Sequence, residues 1–203
     1  MVDGEYLPFV QQPEQPRRPA QAEELTRHTL GNGLRLLVRS DPAAEVVAVS
    51  LQVRAGSRFE SAERAGVTHF LHRVMLRGTT RHSGDELVEA AEELAGALDA
   101  SGEVETAEIR AQALGRHWEP LLSLVAEVAL TPTLPEEEVE RERRLILSQI
   151  QARGDNPFRL THDALLGALC GDHPCGRPSL GTVASVGKLT RAALAAHHRE
   201  IYQ

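Results

Sequence analysis

GVTHFLHRVMLRG, residues 66–78, is the stretch on which the reading of the whole chain turns. Val67, Phe70, Leu71, Val74 and Met75 recur at i, i+3, i+4, i+7 and i+8, the apolar stripe of an amphipathic helix. At about 100° per residue, His69, His72 and Arg73 project from the opposite side. Two imidazoles one turn apart suit a metal or catalytic site. A solvated polar face is the plainer reading of the same spacing.

Upstream, residues 1–22 carry Pro8, Pro13, Pro16 and Pro19 among Gln and Glu, which predicts an extended or disordered arm. Residues 23–203 are expected to form the folded domain. Arg27–Leu30, Asn32-Gly33 and Leu34–Val38 read as a hairpin, because Asn-Gly supplies the positive φ angles a tight turn needs. Val47, Val49, Leu51 and Val53 alternate with polar or small residues, the pattern of a half-buried strand.

Downstream, Ser83 and Glu86 form a capping-box pattern for a helix carrying Leu87, Ala91, Leu94 and Leu98. Period two returns after Gly102, predicting a strand with one wet face near Gly102–Leu114. Helices are predicted from about Trp118 to Leu130, Pro135 to Arg153, Asn156 to Leu169, and Thr190 onward. This order is not a βαβ alternation. It predicts an α+β domain, an antiparallel or mixed sheet with helices on one face.

The 203 residues are 41% hydrophobic and 25% charged, the composition of a soluble globular chain. A net charge of −7, without a dense basic patch, argues against nucleic-acid binding. No apolar run reaches the ~18 residues of a membrane span, and no secretory signal is visible, so a cytoplasmic location is the default. Cys170 and Cys175 flank His173 in a Gly/Pro-rich turn. They read as a metal knot, a small disulfide loop or, most simply, two ordinary cysteines.

Four ordered segments carry a family resemblance. GVTHFLHRVMLRGT resembles the signature helix of the M16 zinc peptidases, whose active members carry H-x-x-E-H. Gly66, His69, Phe70, Leu71, Gly78 and Thr79 match that frame, and Met75 sits one place late. ELAGALDASGEVETAEI resembles the family's substrate-binding edge strand, with Asp99 at its Asn position and Ala100 and Glu105 matching. VERERRLILSQI resembles the helix that bears the third zinc ligand, and GDHPCGRPSLGT resembles the family's G-D-H-P-L-G-R-P-x-L-G-T. The resemblance spans about residues 25–203 and implies one N-terminal-type half of an M16 subunit, cut before its last strand.

Residue by residue, the resemblance implies that the zinc chemistry has been edited out. His69 matches the first ligand. His72 stands at the general-base Glu, and Arg73 at the second His ligand. Gln149, 76 residues after Arg73, stands at the third ligand, while Glu142 matches an accessory carboxylate. A guanidinium has no lone pair and repels a dication. No cofactor is therefore expected, and Arg73 is expected to pair with Glu142 where zinc ties the helices in active relatives.

The implied function is an inactive partner subunit of a two-chain zinc peptidase. Its partners would be an active M16 subunit with an intact H-x-x-E-H, the chain's own missing C-terminal half if this is a fragment, and extended peptides. Peptides would dock by β-addition along the strand near Gly102–Leu114, with Asp99, Ala100, Ser101 and Gly102 as the binding residues. Two alternatives stand beside this: a structural core-type subunit without a peptide role, and a zinc peptidase with a non-standard site of His69, His72 and Glu142.

Overall fold

The computed structural model describes residues 25–171 and 173–202; the expected Pro-rich arm, residues 1–22, lies outside them. The chain divides into two compact units, the first ending at Ala44 and the second starting at Glu45. In the first, β1 (Leu25–Thr29) and β2 (Arg35–Arg39) pair antiparallel, from Leu25 opposite Arg39 to Thr29 opposite Arg35. Asn32 Oδ1 accepts from the Leu34 N–H at 3.1 Å, and Gly33 takes the left-handed φ that the Asn-Gly pair predicts.

The second unit is built on a three-stranded antiparallel sheet of β3 (Val46–Val53), β4 (Ala97–Gly102) and β5 (Ala107–Leu114), in the order β3-β5-β4. Its helices are α1 (Val67–Met75), α2 (Gly84–Glu93), α3 (Trp118–Leu130), α4 (Glu136–Gly154), α5 (Pro157–Cys170), α6 (Val183–Val186) and α7 (Arg191–Ile201). Ala107, Ile109, Ala111 and Ala113 of β5 are buried against helices, whereas Arg110 and Gln112 face water. Alternation therefore sets which face of the sheet carries α1 and α3. Phe70, Leu71, Val74 and Met75 of α1 are fully buried in the same core as Ile109, Leu121, Val139 and Ile146.

Two expectations are corrected. The strand following Gly102 is not at the edge: β5 pairs with β3 on one side and β4 on the other, so both rows of its backbone groups are used. The edge positions belong to β3 and β4. Leu94 and Leu98 do not extend α2 either. That helix ends in a Schellman closure, with Gly96 N–H donating to Ala91 O at 3.0 Å and Ala95 N–H to Glu92 O at 2.8 Å. The left-handed position is occupied by Ala95 at φ 51°. The glycine sits one place later because a Cβ at Gly96 would lie 2.1 Å from Gln112 O. The usual stop signal is thus displaced by a packing demand, and the apolar spacing runs on into a strand.

Candidate functional site

The site is assembled where α1 meets β4, α4 and α7. Glu60 fixes the start of α1: its carboxylate accepts from the Gly66 N–H at 2.7 Å and the Thr68 N–H at 2.8 Å. A carboxylate at a helix N-terminus also suits the helix dipole. Glu60 is held in turn by Arg177, whose Nη1 donates to the Glu60 carbonyl at 2.9 Å. A Cβ on Gly102 would lie 2.9 Å from His69 N and Thr68 C, so the end of β4 lies directly against the α1 backbone.

Arg73 on α1 and Arg77 in the turn just after it face Glu138 and Glu142, one turn apart on α4. Glu142 is 0% exposed. Arg73 Nε donates to its Oε2 at 3.1 Å, and Arg77 Nε and Nη2 lie 2.7 and 2.5 Å from Oε1. Glu138 Oε2 stands 4.0 Å from Arg77 Nε. The pairing of Arg73 with Glu142 is the one its position suggested. Arg77 was missed, although the matching spacings Arg73-x-x-x-Arg77 and Glu138-x-x-x-Glu142 carry the signal.

His69 is half-buried, and its Nε2 is enclosed without a hydrogen-bond partner among the described residues. With Gln149, Gly102, Asn156 and Arg159 it lines an open groove of about 470 Å³. Burial, and next the nearby Arg73 charge, push its pKa down against the opposing pull of Glu142. The neutral ring is thereby favoured. Gln149 is exposed on the α4 wall of the same groove.

His72 does not project from the polar side of α1, as the periodicity predicts. It is 0% exposed, because α7 packs over it. Its Nδ1 bonds the Thr68 carbonyl at 2.7 Å, and its Nε2 bonds the Tyr202 hydroxyl at 2.8 Å. Burial lowers its pKa to about 4. Thr68 Oγ1 meets His197 Nε2 at 2.9 Å, which extends the polar seam between the two helices. Thr68, His197 and Tyr202 were not anticipated; their signal is tertiary, since α7 lies about 130 residues downstream.

The donor groups do not suit zinc. His69 Nε2 is one available ligand atom, but the neighbouring position is a permanent cation, both ring nitrogens of His72 are engaged, and both oxygens of Glu142 are held by guanidinium groups. The alternative set of His69, His72 and Glu142 is not brought together, and among the described residues no three His, Cys, Asp or Glu side chains converge on a metal position. Cys170 and Cys175 are both free and half-buried. On β4, Asp99 is exposed, Ser101 half-buried, and Ala100 and Gly102 buried. No helix among the described residues is long and apolar enough to cross a membrane.

Comparison with known proteins places this geometry in context. Residues 35–183 match the family model described as Insulinase (Peptidase family M16). An uncharacterized zinc protease of Mycobacterium bovis is 36% identical over 92% of this chain and 43% of its own length. One of Bacillus subtilis is 28% identical over 88% of this chain and 44% of its own. Among solved structures, the inactive domain of an M16 peptidase from Pseudomonas fluorescens superposes with a TM-score of 0.80 at 23% identity, covering 85% of this chain and 42% of that one. A protease from Helicobacter pylori gives 0.84 at 20% identity, covering 89% and 44%. The chain thus spans under half the length of the relatives it matches.

Proposed function

The chain belongs to the insulinase-type peptidase family M16, and from that premise we propose that it acts as a non-catalytic member, the inactive partner of a subunit with an intact H-x-x-E-H. The observation that carries this reading is the Arg73–Glu142–Arg77 tie. It fills, with fixed cations, the junction of α1 and α4 where the family's signature would hold a metal. In this reading Arg73 locks α1 to α4 without supplying a Lewis acid, and His72 is a packing residue under α7 instead of a base. Exposed apolar residues on α5, Phe158 at 78% and Leu169 at 73%, supply surface for the rest of a larger assembly.

Extended peptide would add to the free side of β4, at Asp99, Ala100, Ser101 and Gly102, and run toward the groove lined by His69 and Gln149. The test is amide hydrogen exchange on the full chain with an unstructured peptide, beside a cleavage assay with and without an M16 subunit bearing H-x-x-E-H. Slower exchange in β4, no cleavage by the chain alone and faster cleavage by the pair are expected. Unchanged β4 exchange, or cleavage by the chain alone, would overturn the reading.

A further inference from the structure

A second cavity, of about 260 Å³, lies between the C-terminal end of α1, α2 and the start of β4. Leu76, Leu87, Val88 and Leu98 give it apolar walls, while Arg73 on α1 and Arg77 in the turn after it supply one side. Arg73 gives only Nε to Glu142; among the described residues its two η-nitrogens hydrogen-bond no protein group, and its side chain is 35% exposed. Arg77 keeps Nη1 unengaged in the same way. Two guanidinium groups thus face Glu142 and, on the Arg77 side, Glu138 at 4.0 Å, and this wall retains free guanidinium N–H donors. Glu92, on the α2 wall, disfavours an anion at its own end.

We infer that this cavity binds a carboxylate carried on an apolar body about the size of one residue, with Arg73 as its recognition group. The volume sits below the roughly 300–1,000 Å³ of pockets for drug-sized ligands, which limits the body to about one side chain. A planar fork of free N–H donors matches a carboxylate bidentately. The last residue of a peptide and a free N-acylated amino acid share this chemistry. The inference does not depend on a partner subunit or on docking along β4.

The experiment is calorimetric titration of the full chain with three probes: N-acetyl-leucine, N-acetyl-leucinamide and the peptide Gly-Gly-Ser-Gly-Leu with a free C-terminus. Binding of the acid should exceed that of the amide by about tenfold or more, the scale of a hydrogen bond to an ion. Val88→Trp, at a half-exposed cavity position, should abolish binding while leaving the unfolding temperature unchanged. Arg73→Lys, which keeps the charge and loses the fork, should weaken the acid and leave the amide unaffected. Tighter binding of the peptide than of N-acetyl-leucine identifies a chain end as the ligand; equal binding identifies the free acid. Equal binding of acid and amide, no binding of either at about 10 mM, or full binding by Val88→Trp would overturn the inference.

Discussion

Glu142→Gln is the substitution that bears most directly on the junction of α1 and α4. The native carboxylate is wholly buried and accepts from Arg73 Nε at 3.1 Å and from Arg77 Nε at 2.7 Å and Nη2 at 2.5 Å. Gln keeps the shape but offers one acceptor oxygen, and its NH₂ must then face a guanidinium donor. Removing one partner of a buried ion network costs about 3–5 kcal/mol. Here each guanidinium is about one-third exposed and regains some hydration when released, which places the cost near the lower end, about 3 kcal/mol. For a chain of this size that is a fall in Tm of about 6–12 °C. Urea unfolding of the wild type, E142Q, R73A and the double variant should also give a coupling between Arg73 and Glu142 of about 1 kcal/mol or more. A loss under about 1 kcal/mol for E142Q, the size of a surface pair, would refute the claim that this tie holds the two helices.

The His72 seam gives a pH prediction. Its folded pKa, about 4, lies below the ordinary histidine value, so the neutral ring stabilises the fold fully above about pH 6.5. That stability is lost as pH falls from 6.5 to 4, by about 3 kcal/mol in all, because the unfolded chain takes up the proton first. His69 and His197, also lowered by burial, add to the loss in the same direction. Urea unfolding across pH 4–7 measures this slope, and it should flatten markedly in His72→Gln. Gly102→Ala would push a methyl group within 2.9 Å of the α1 backbone and should cost about 1–3 kcal/mol. A neutral effect there would contradict the close approach of β4 to α1.

Most of the architecture was legible because the governing signals are local. The alternation in β3 and β5, Asn32-Gly33 in the hairpin and the Ser83–Glu86 capping box each fix an element from within a few residues. The errors arise where a distant segment decides. A period of 3.6 tells the apolar stripe of α1 from its polar side, but only α7 turns the polar His72 into a buried one bonded to Tyr202. The α2–β4 boundary was hidden because the Gln112 carbonyl requires glycine at 96, leaving Ala95 at the left-handed turn. Strand order was likewise not readable from β5 alone, since either side of a strand with one wet face can pair. At the candidate site, residue chemistry was the stronger guide. Arg73 cannot ligate a metal whatever the fold, and its pairing with Glu142 followed from two opposite charges on helices that the resemblance places side by side.

The most direct test is the zinc content of the purified full chain after equilibration with micromolar zinc and gel filtration, with R73H/Q149E as the positive control. The account predicts under about 0.1 equivalent of zinc in the wild type and close to one in the control, where His69 regains ligand-competent neighbours. One equivalent in the wild type, lost on His69→Ala, would contradict it.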